Sequence, residues 1–154
     1  MKKTVDPSPN VDQVGKMIID NIAIIDQIQI LDSGVFVASY ALPGNEVVIG
    51  YDILADPHTS PEAIYTIQKK DLFFAGPIEL KQGGKAIIGR LPLFVEAEFT
   101  GFAAVLINWD KFKEQVFASE ENSKFTIEFF KINPIDINRV SLLESDFSKA
   151  NGLF

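Results

Sequence analysis

Residues 72–94 read LFFAGPIELKQGGKAIIGRLPLF and decide the fold. Two apolar runs of β-type residues flank the QGG sequence at 82–84, and each run carries a proline. Paired glycines between such runs predict a hairpin, because glycine readily adopts the positive φ that tight turns require. Neither Pro77 nor Pro92 can donate to a β-ladder, so each marks an edge, a bulge or the end of regular pairing.

Interrupted pairing in this hairpin has two explanations. An apolar wall that meets a few polar groups is typical of the rim of a small-molecule pocket. A distorted hairpin with a purely structural role explains the same residues. Both interpretations stay open at the level of the sequence.

Composition limits the class of protein. The chain has 154 residues, 47% of them apolar and 13 of them Phe, which suits one domain with a substantial core. Its formal charge of −7 makes nucleic acid and anionic membrane surfaces unsuitable partners. It contains no cysteine, which excludes disulfides, thiolate zinc sites and thiol catalysis but leaves the compartment open.

Residues 8–27 are expected to form a long N-terminal helix, with Ser8 as its cap and Pro9 at its first position. An apolar stripe recurs at helical spacing along it, comprising Val11, Val14, Ile18, Ile22 and Ile25. The stripe suits a helix that packs in a dimer, and it suits a helix laid on its own sheet equally well.

The remaining elements follow from apolar runs and the turn residues between them. In chain order we expect a strand at 35–42, a strand at 47–54, a helix from Pro61 to Lys70 capped by Ser60, the hairpin at 72–97, a strand at 100–108 and a helix from Asp110 to about Ala118. This order predicts an α+β fold with a PAS-like antiparallel sheet wrapped by helices.

The last part of the chain differs from the rest. Alternating residues from 125 to 132 and a short apolar run at 139–143 predict one hairpin, followed by a frayed end. We therefore expect an N-terminal helix at 8–27, a PAS-like core at 28–118 and a reduced C-terminal unit at 119–154.

The sequence carries no pattern for catalysis. His58 is the single histidine, so neither a histidine metal site nor a Ser-His-Asp triad is expected, and no nucleophile elbow is present. Asp52 and Asp56 cannot share a continuing helix because Pro57 interrupts it. We expect no catalytic residue, no metal and no cofactor.

Two charged residues are candidates for binding. Arg90 lies within an apolar strand, where an unpaired guanidinium is costly, so it either grips a ligand carboxylate or phosphate or pairs with Asp52 or Glu79. Asp52 either contacts a ligand or caps the following loop.

Six segments together resemble the CHASE domain, the sensor module of membrane-bound bacterial diguanylate cyclases, phosphodiesterases and histidine kinases and of plant cytokinin receptors. In chain order they are YALPGNE at 40–46, GYDIL at 50–54, AGPIEL at 75–80, QGG at 82–84, GRLPLF at 89–94 and the strand from Gly101-Phe102 to about Asp110. The resemblance covers about residues 28–115.

The resemblance implies an extracytoplasmic sensor that binds a small molecule and signals across the membrane, as a homodimer in the full-length receptor. It implies a periplasmic or extracellular location. Asp52 aligns near an adenine-contacting aspartate of the plant receptors, and Tyr40, Tyr51, Phe74 and Ala75 are candidate pocket walls. The cytokinin itself does not carry over, since bacterial members sense diverse compounds.

No apolar run reaches the length of a membrane span, and residues 1–10 lack the apolar stretch of a signal peptide. We therefore expect this chain to be a soluble piece of a membrane-anchored protein, with Met1 added by cloning. The alternative function is a ligand-free, PAS-like dimerisation module.

Overall fold

The computed structural model describes residues 10–40, 48–80, 83–118, 128–132 and 137–143. Contacts between Cα atoms divide the chain into two units, Met1–Phe112 and Lys113–Phe154. The elements of the first unit are α1 (Asn10–Asn21), β1 (Ile25–Asp32), β2 (Val35–Tyr40), α2 (Ser60–Lys69), β3 (Phe73–Glu79), β4 (Lys85–Val95) and β5 (Glu98–Asn108). Helix α3 (Trp109–Ala118) runs across the division.

The first unit is an α+β fold built on one antiparallel, PAS-like sheet. Its five strands lie in the order β2-β1-β5-β4-β3. The inner face of this sheet is the one that α2 covers, and the outer face is the opposite one. The core lies against the inner face, where Leu31 and Phe102 pack with Ile53 and Ala63. Helix α1 packs on β1 and β2.

The predicted order of one helix, two strands, one helix and three strands is confirmed, but one of its first two strands, β1, is not a predicted one. The expected helix 8–27 ends at Asn21, and Ile25–Asp32 forms β1 between β2 and β5. Sheet pairing on both sides overrides the helical spacing of the isoleucines. Ser8, Pro9 and the side chain of Val11 lie outside the described residues.

The predicted apolar stripe of α1 is also wrong in part. Val14 and Ile22 are exposed, and Gly15 is the buried residue over 12–21, the part of the helix whose burial the structure describes. A Cβ at position 15 would lie 2.5 Å from Cδ1 of Tyr40, so the backbone of α1 rests directly on that ring. Close contact through glycine leaves no signal in a hydrophobic pattern.

The expected strand 47–54 is wrong. Val48–Gly50 is a turn in which Gly50 has a φ of 85°, and Asp52 forms only a single bridge to Val35. The expected strand at 35–42 is β2, which ends at Tyr40, and residues 41–47 lie outside the described part.

Two predicted helix caps are replaced by their neighbours. Thr59, not Ser60, occupies the N-cap position of α2; its side chain makes no capping hydrogen bond, and its hydroxyl donates to the carbonyl of Ile53 at 2.7 Å. Asn108, not Asp110, caps α3, because its Oδ1 accepts hydrogen bonds from the amides of Asp110 and Lys111 at 3.0 Å. Short polar side chains one or two residues apart are equivalent candidates in a sequence.

The hairpin of β3 and β4 follows the prediction. Gly83 and Gly84 have φ angles of 92° and 81°, and the pairing shifts between Ala75 and Ile78, around Pro77. Pro92 pairs with Phe102 of β5, but β3 begins opposite Arg90, so β4 has no partner on that side at Pro92. Both prolines therefore lie where a ladder is interrupted or ends.

The second unit contains a two-stranded sheet of β6 (Phe129–Ile132) and β7 (Arg139–Leu143). This is the predicted C-terminal hairpin, whose residues 125–127 lie outside the described part. Within it, Arg139 pairs with Glu128 at 2.6 Å and lies over the ring of Phe130. The domain boundaries expected from the sequence stay predictions.

Candidate ligand-binding site

The inner face of the sheet carries a row of buried polar residues. Arg90 of β4 pairs with Ala104 of β5, and Ala104 pairs with Gln29 of β1. Directly paired residues of antiparallel strands share a face, so Arg90 and Gln29 flank the small Ala104 on the side that α2 covers. Arg90 and Gln29 are each only 4% exposed. This polar row runs through an otherwise apolar core.

Arg90 has an incomplete set of partners. Its Nη1 atom is buried and has no hydrogen-bond partner in the part of the chain that the structure describes. Its guanidinium lies 5.6 Å from the ring centroid of Phe102. Burial lowers the pKa of Arg90, and the negative charge of Glu62 on α2 opposes this shift. A buried donor without an acceptor is unfavourable, so this group is suited to receiving an anion.

Neutral polar groups accompany Arg90 in the core. Gln27 lies two residues from Gln29 and therefore on the same face, and its Nε2 donates to the hydroxyl of Ser39 on β2. Thr66 of α2 is fully buried, and its hydroxyl donates to the carbonyl of Glu62 at 2.7 Å. The amides of Gln27 and Gln29 bring hydrogen-bonding capacity to the inner face without charge.

The structure separates Arg90 from the partners considered for it. Glu79 pairs with Lys85 at 3.1 Å. Oδ1 of Asp52 accepts hydrogen bonds from the amides of Leu54 and Ala55, at 2.8 and 3.3 Å. This is the capping geometry that the second interpretation of Asp52 predicts. Among the described residues, no ion pair joins Arg90 to Asp52 or Glu79.

The remaining candidate walls are divided between the two faces. Ala75 pairs with Ile88 and lies on the inner face, two positions from Arg90. Phe74 pairs with Gly89 on the outer face and is 50% exposed, and Tyr40 lies on the outer face under α1. The predicted set is therefore not one cluster, because neighbouring residues of a strand point in opposite directions.

Tyr51 lies in the loop before α2 rather than in a strand. Its ring stacks on Phe36, with centroids 6.1 Å apart, and its hydroxyl donates to the carboxylate of Asp56. Burial, followed by this hydrogen bond, raises the pKa of Tyr51. The loop thereby holds Ile53 against the core, where Tyr51 packs beside it.

Sequence reasoning missed Gln27, Gln29 and Glu62. The two glutamines alternate with isoleucines in the segment IDQIQILD, which is a strand pattern with its polar positions turned inward. The helix expected at 8–27 includes the first three residues of this segment, so its alternation was not used. Glu62 lies in the first turn of α2, where an acidic residue is already explained by the helix dipole.

The described residues contain no group of three or more His, Cys, Asp or Glu residues placed to hold a metal ion. Across the same residues, no helix combines the length and the apolar character that crossing a bilayer demands.

Comparisons with known proteins give a likeness of fold. The chain is similar to an extracellular ligand-binding receptor from Desulfohalobium retbaense, with a TM-score of 0.59 and 20% identity over 80% of this chain and 22% of the receptor. It is also matched to the extracellular domain of the histidine kinase vpHK1S-Z8, with a TM-score of 0.44 and 14% identity over 71% of this chain and 45% of that one. The chain thus spans less than half of either protein. No family model and no curated protein matches it.

Proposed function

We propose that this chain is the extracytoplasmic sensor region of a membrane-bound bacterial signalling protein and that it binds a small molecule at the inner face. The observation that supports this most directly is Nη1 of Arg90, a buried cationic donor without a partner among the described residues. An acceptor on a ligand would satisfy it.

The fold supports an extracytoplasmic location. The α+β unit resembles an extracellular ligand-binding receptor in architecture, although a fold alone does not specify a function. The CHASE-like segments add the remaining part of the proposal, in which the output is a diguanylate cyclase, a phosphodiesterase or a histidine kinase.

Strand β2 provides a route from the inner face to α1. Ser39 accepts a hydrogen bond from Gln27 on the inner face, and the next residue, Tyr40, lies under Gly15 on the outer face. A ligand that moves Gln27 or Gln29 would therefore move the surface on which α1 rests. Signalling requires that the ligand bind the two positions of α1 with different affinities.

A thermal-shift screen of adenines, carboxylates, amino acids and short peptides tests the proposal. A ligand at about 100 times its dissociation constant stabilises by about 2.7 kcal/mol, which shifts the melting temperature of a domain of this size by several degrees. The shift should disappear in Arg90→Met and persist in Lys85→Met, which removes a cation from an exposed part of the same strand.

Hydrogen exchange of the protein with and without the same ligand tests the coupling between the inner face and α1. Ligand should change the protection of α1, and Ser39→Ala should weaken that change without abolishing binding. Unchanged protection over residues 10–21 on ligand binding would contradict the coupling while leaving the binding site intact.

One feature supports the alternative, a ligand-free dimerisation module. On the outer face of β3 and β4, beyond the strands on which α1 packs, the side chains of Phe74, Leu91, Leu93 and Val95 are exposed. Exposed apolar strips of this kind are typical of association surfaces. A stable dimer that Leu91→Ser together with Val95→Ser dissociates, combined with a flat ligand screen, would favour this module.

A further inference from the structure

The charge on the inner face restricts the ligand. Three central stretches of strand cross under α2, namely Gln27–Leu31, Ile88–Pro92 and Phe102–Leu106, and Arg90 is the only charged residue in them. Arg90 is therefore the cation that these stretches offer to an anionic group of a ligand. A second anionic group on the ligand would have to lose its water without a cation to replace it, which is costly.

Glu62 strengthens this restriction. Its carboxylate belongs to α2, the element that covers Arg90, and its charge acts on the guanidinium. A ligand with two negative charges would be repelled by Glu62 as well as lacking a second cation. A ligand with no charge would leave the desolvated guanidinium without a strong acceptor.

The neighbours of Arg90 define the rest of the ligand. Across Ala104 lies Gln29, and the next inward position of β1 is Gln27. These amides can donate or accept neutral hydrogen bonds, so the second polar group of the ligand is a hydroxyl, a carbonyl or an amide. Phe102 and Leu106, on either side of Ala104 along β5, provide an apolar floor between the two polar ends.

The register of the strands limits the size of the ligand. Strands β1 and β4 are separated by β5 alone, so the backbones that carry Gln29 and Arg90 are about 10 Å apart. Both side chains lie on the inner face. A molecule that contacts both of them is therefore short.

We infer that the ligand is a short monocarboxylate with a neutral hydrogen-bonding group on a neighbouring carbon, such as a small hydroxy- or oxo-acid. Its carboxylate accepts a hydrogen bond from Nη1 of Arg90, and its neutral group contacts Gln29. This inference rests on the proposed function and specifies the ligand class of the same site.

Isothermal titration with four matched probes tests the inference. Lactate has both required groups, propionate lacks the hydroxyl, lactamide lacks the charge and malonate carries two carboxylates. We expect lactate to bind most tightly and lactamide and malonate not to bind. Arg90→Met should weaken lactate binding by about 10- to 150-fold, the range for a charge-assisted hydrogen bond.

A second variant distinguishes the role of the ligand's hydroxyl from that of its carboxylate. Gln29→Ala should weaken lactate binding by about 2- to 10-fold, as expected for a neutral hydrogen bond, and leave propionate binding unchanged. A Gln29→Ala variant that weakens both acids equally would overturn the assignment of the hydroxyl to Gln29.

Different results would contradict the ligand class and the binding function. Binding of lactamide, malonate or inorganic phosphate that depends on Arg90 would overturn the monocarboxylate assignment and keep the sensor function. A broad thermal-shift screen with no hit that depends on Arg90 would overturn the binding function itself. Lactate binding that persists in Arg90→Met would overturn the proposed contact with Nη1.

Discussion

Gly15 of α1 and Tyr40 of β2 are in closer contact than any larger residue at position 15 would permit. A Cβ on Gly15 would lie 2.5, 2.7 and 2.9 Å from Cδ1, Cγ and Cβ of Tyr40. The last of these atoms is fixed to the backbone of β2, so rotating the ring would not relieve the overlap. The position of α1 on the sheet therefore depends on the absence of a side chain at one residue.

Gly15→Ala should loosen α1. Alanine favours a helix over glycine by about 1 kcal/mol, but overpacking at a tight contact costs about 1–3 kcal/mol, so the contact is expected to dominate. Hydrogen exchange over residues 10–21 should accelerate relative to wild type. Gln13→Ala, on the exposed side of α1, is the matched control and should leave exchange over this range almost unchanged. Slower exchange in Gly15→Ala would mean that helix propensity dominates.

Tyr51 should make stability fall at alkaline pH. An unfolded tyrosine ionises near pH 10, whereas burial and the hydrogen bond to Asp56 raise the pKa of Tyr51 in the folded protein. The contribution of Tyr51 is therefore complete below about pH 10 and is lost as pH rises through the folded-state pKa. Urea unfolding at about pH 9 and about pH 11 measures this decline, which should be smaller in Tyr51→Phe. An unchanged decline in Tyr51→Phe, with Tyr65→Phe as control, would contradict the assignment.

The strands that begin or end at turn residues could be predicted from the sequence. The glycines at 83 and 84 and the prolines at 77 and 92 determine where β3 and β4 pair and where that pairing stops, because their constraints are local. Strand β5 and the C-terminal hairpin follow from similarly local patterns. Strand β1 could not be predicted in this way, since its isoleucines continue the helical spacing of α1 and only pairing with β2 and β5 decides between the two.

The candidate site was predictable only in part. Arg90 is conspicuous because a charge in an apolar strand requires a partner. Its neighbours are determined by the register between strands, which the sequence of one strand does not reveal. Gln29 lies opposite Ala104 and Ala104 opposite Arg90, although 60 residues of chain separate Gln29 from Arg90. The resemblance makes Phe74 and Tyr40 candidate pocket walls, but each lies on the outer face, which the sequence alone does not reveal.

Gly101→Ala should destabilise the sheet severely. A Cβ on Gly101 would lie 1.9 Å from the carbonyl oxygen of Leu31, so β5 and β1 would have to separate. We expect a loss of about 3 kcal/mol or more in the free energy of unfolding. Gly84→Ala is the matched control, since Gly84 has a positive φ but open space around it, and should cost only about 1–2 kcal/mol. Equal losses in the two variants would show that the contact with Leu31 relaxes easily.

Arg90→Met should stabilise the ligand-free protein. Favourable and unfavourable effects oppose each other at this position, and the negative charge of Glu62 on α2 is one of the favourable ones. The cation–π contact with Phe102 contributes at most about 2 kcal/mol, whereas removing a guanidinium from water costs several kcal/mol, and Nη1 has no partner among the described residues to offset it. We expect a gain of about 1–3 kcal/mol, which is a rise of about 2–12 °C in melting temperature. Lys85→Met should change stability by less than about 1 kcal/mol, because its pair with Glu79 is exposed. A lower melting temperature in Arg90→Met would mean that the guanidinium is stabilised within the ligand-free protein, and that its place in the core needs no ligand to explain it.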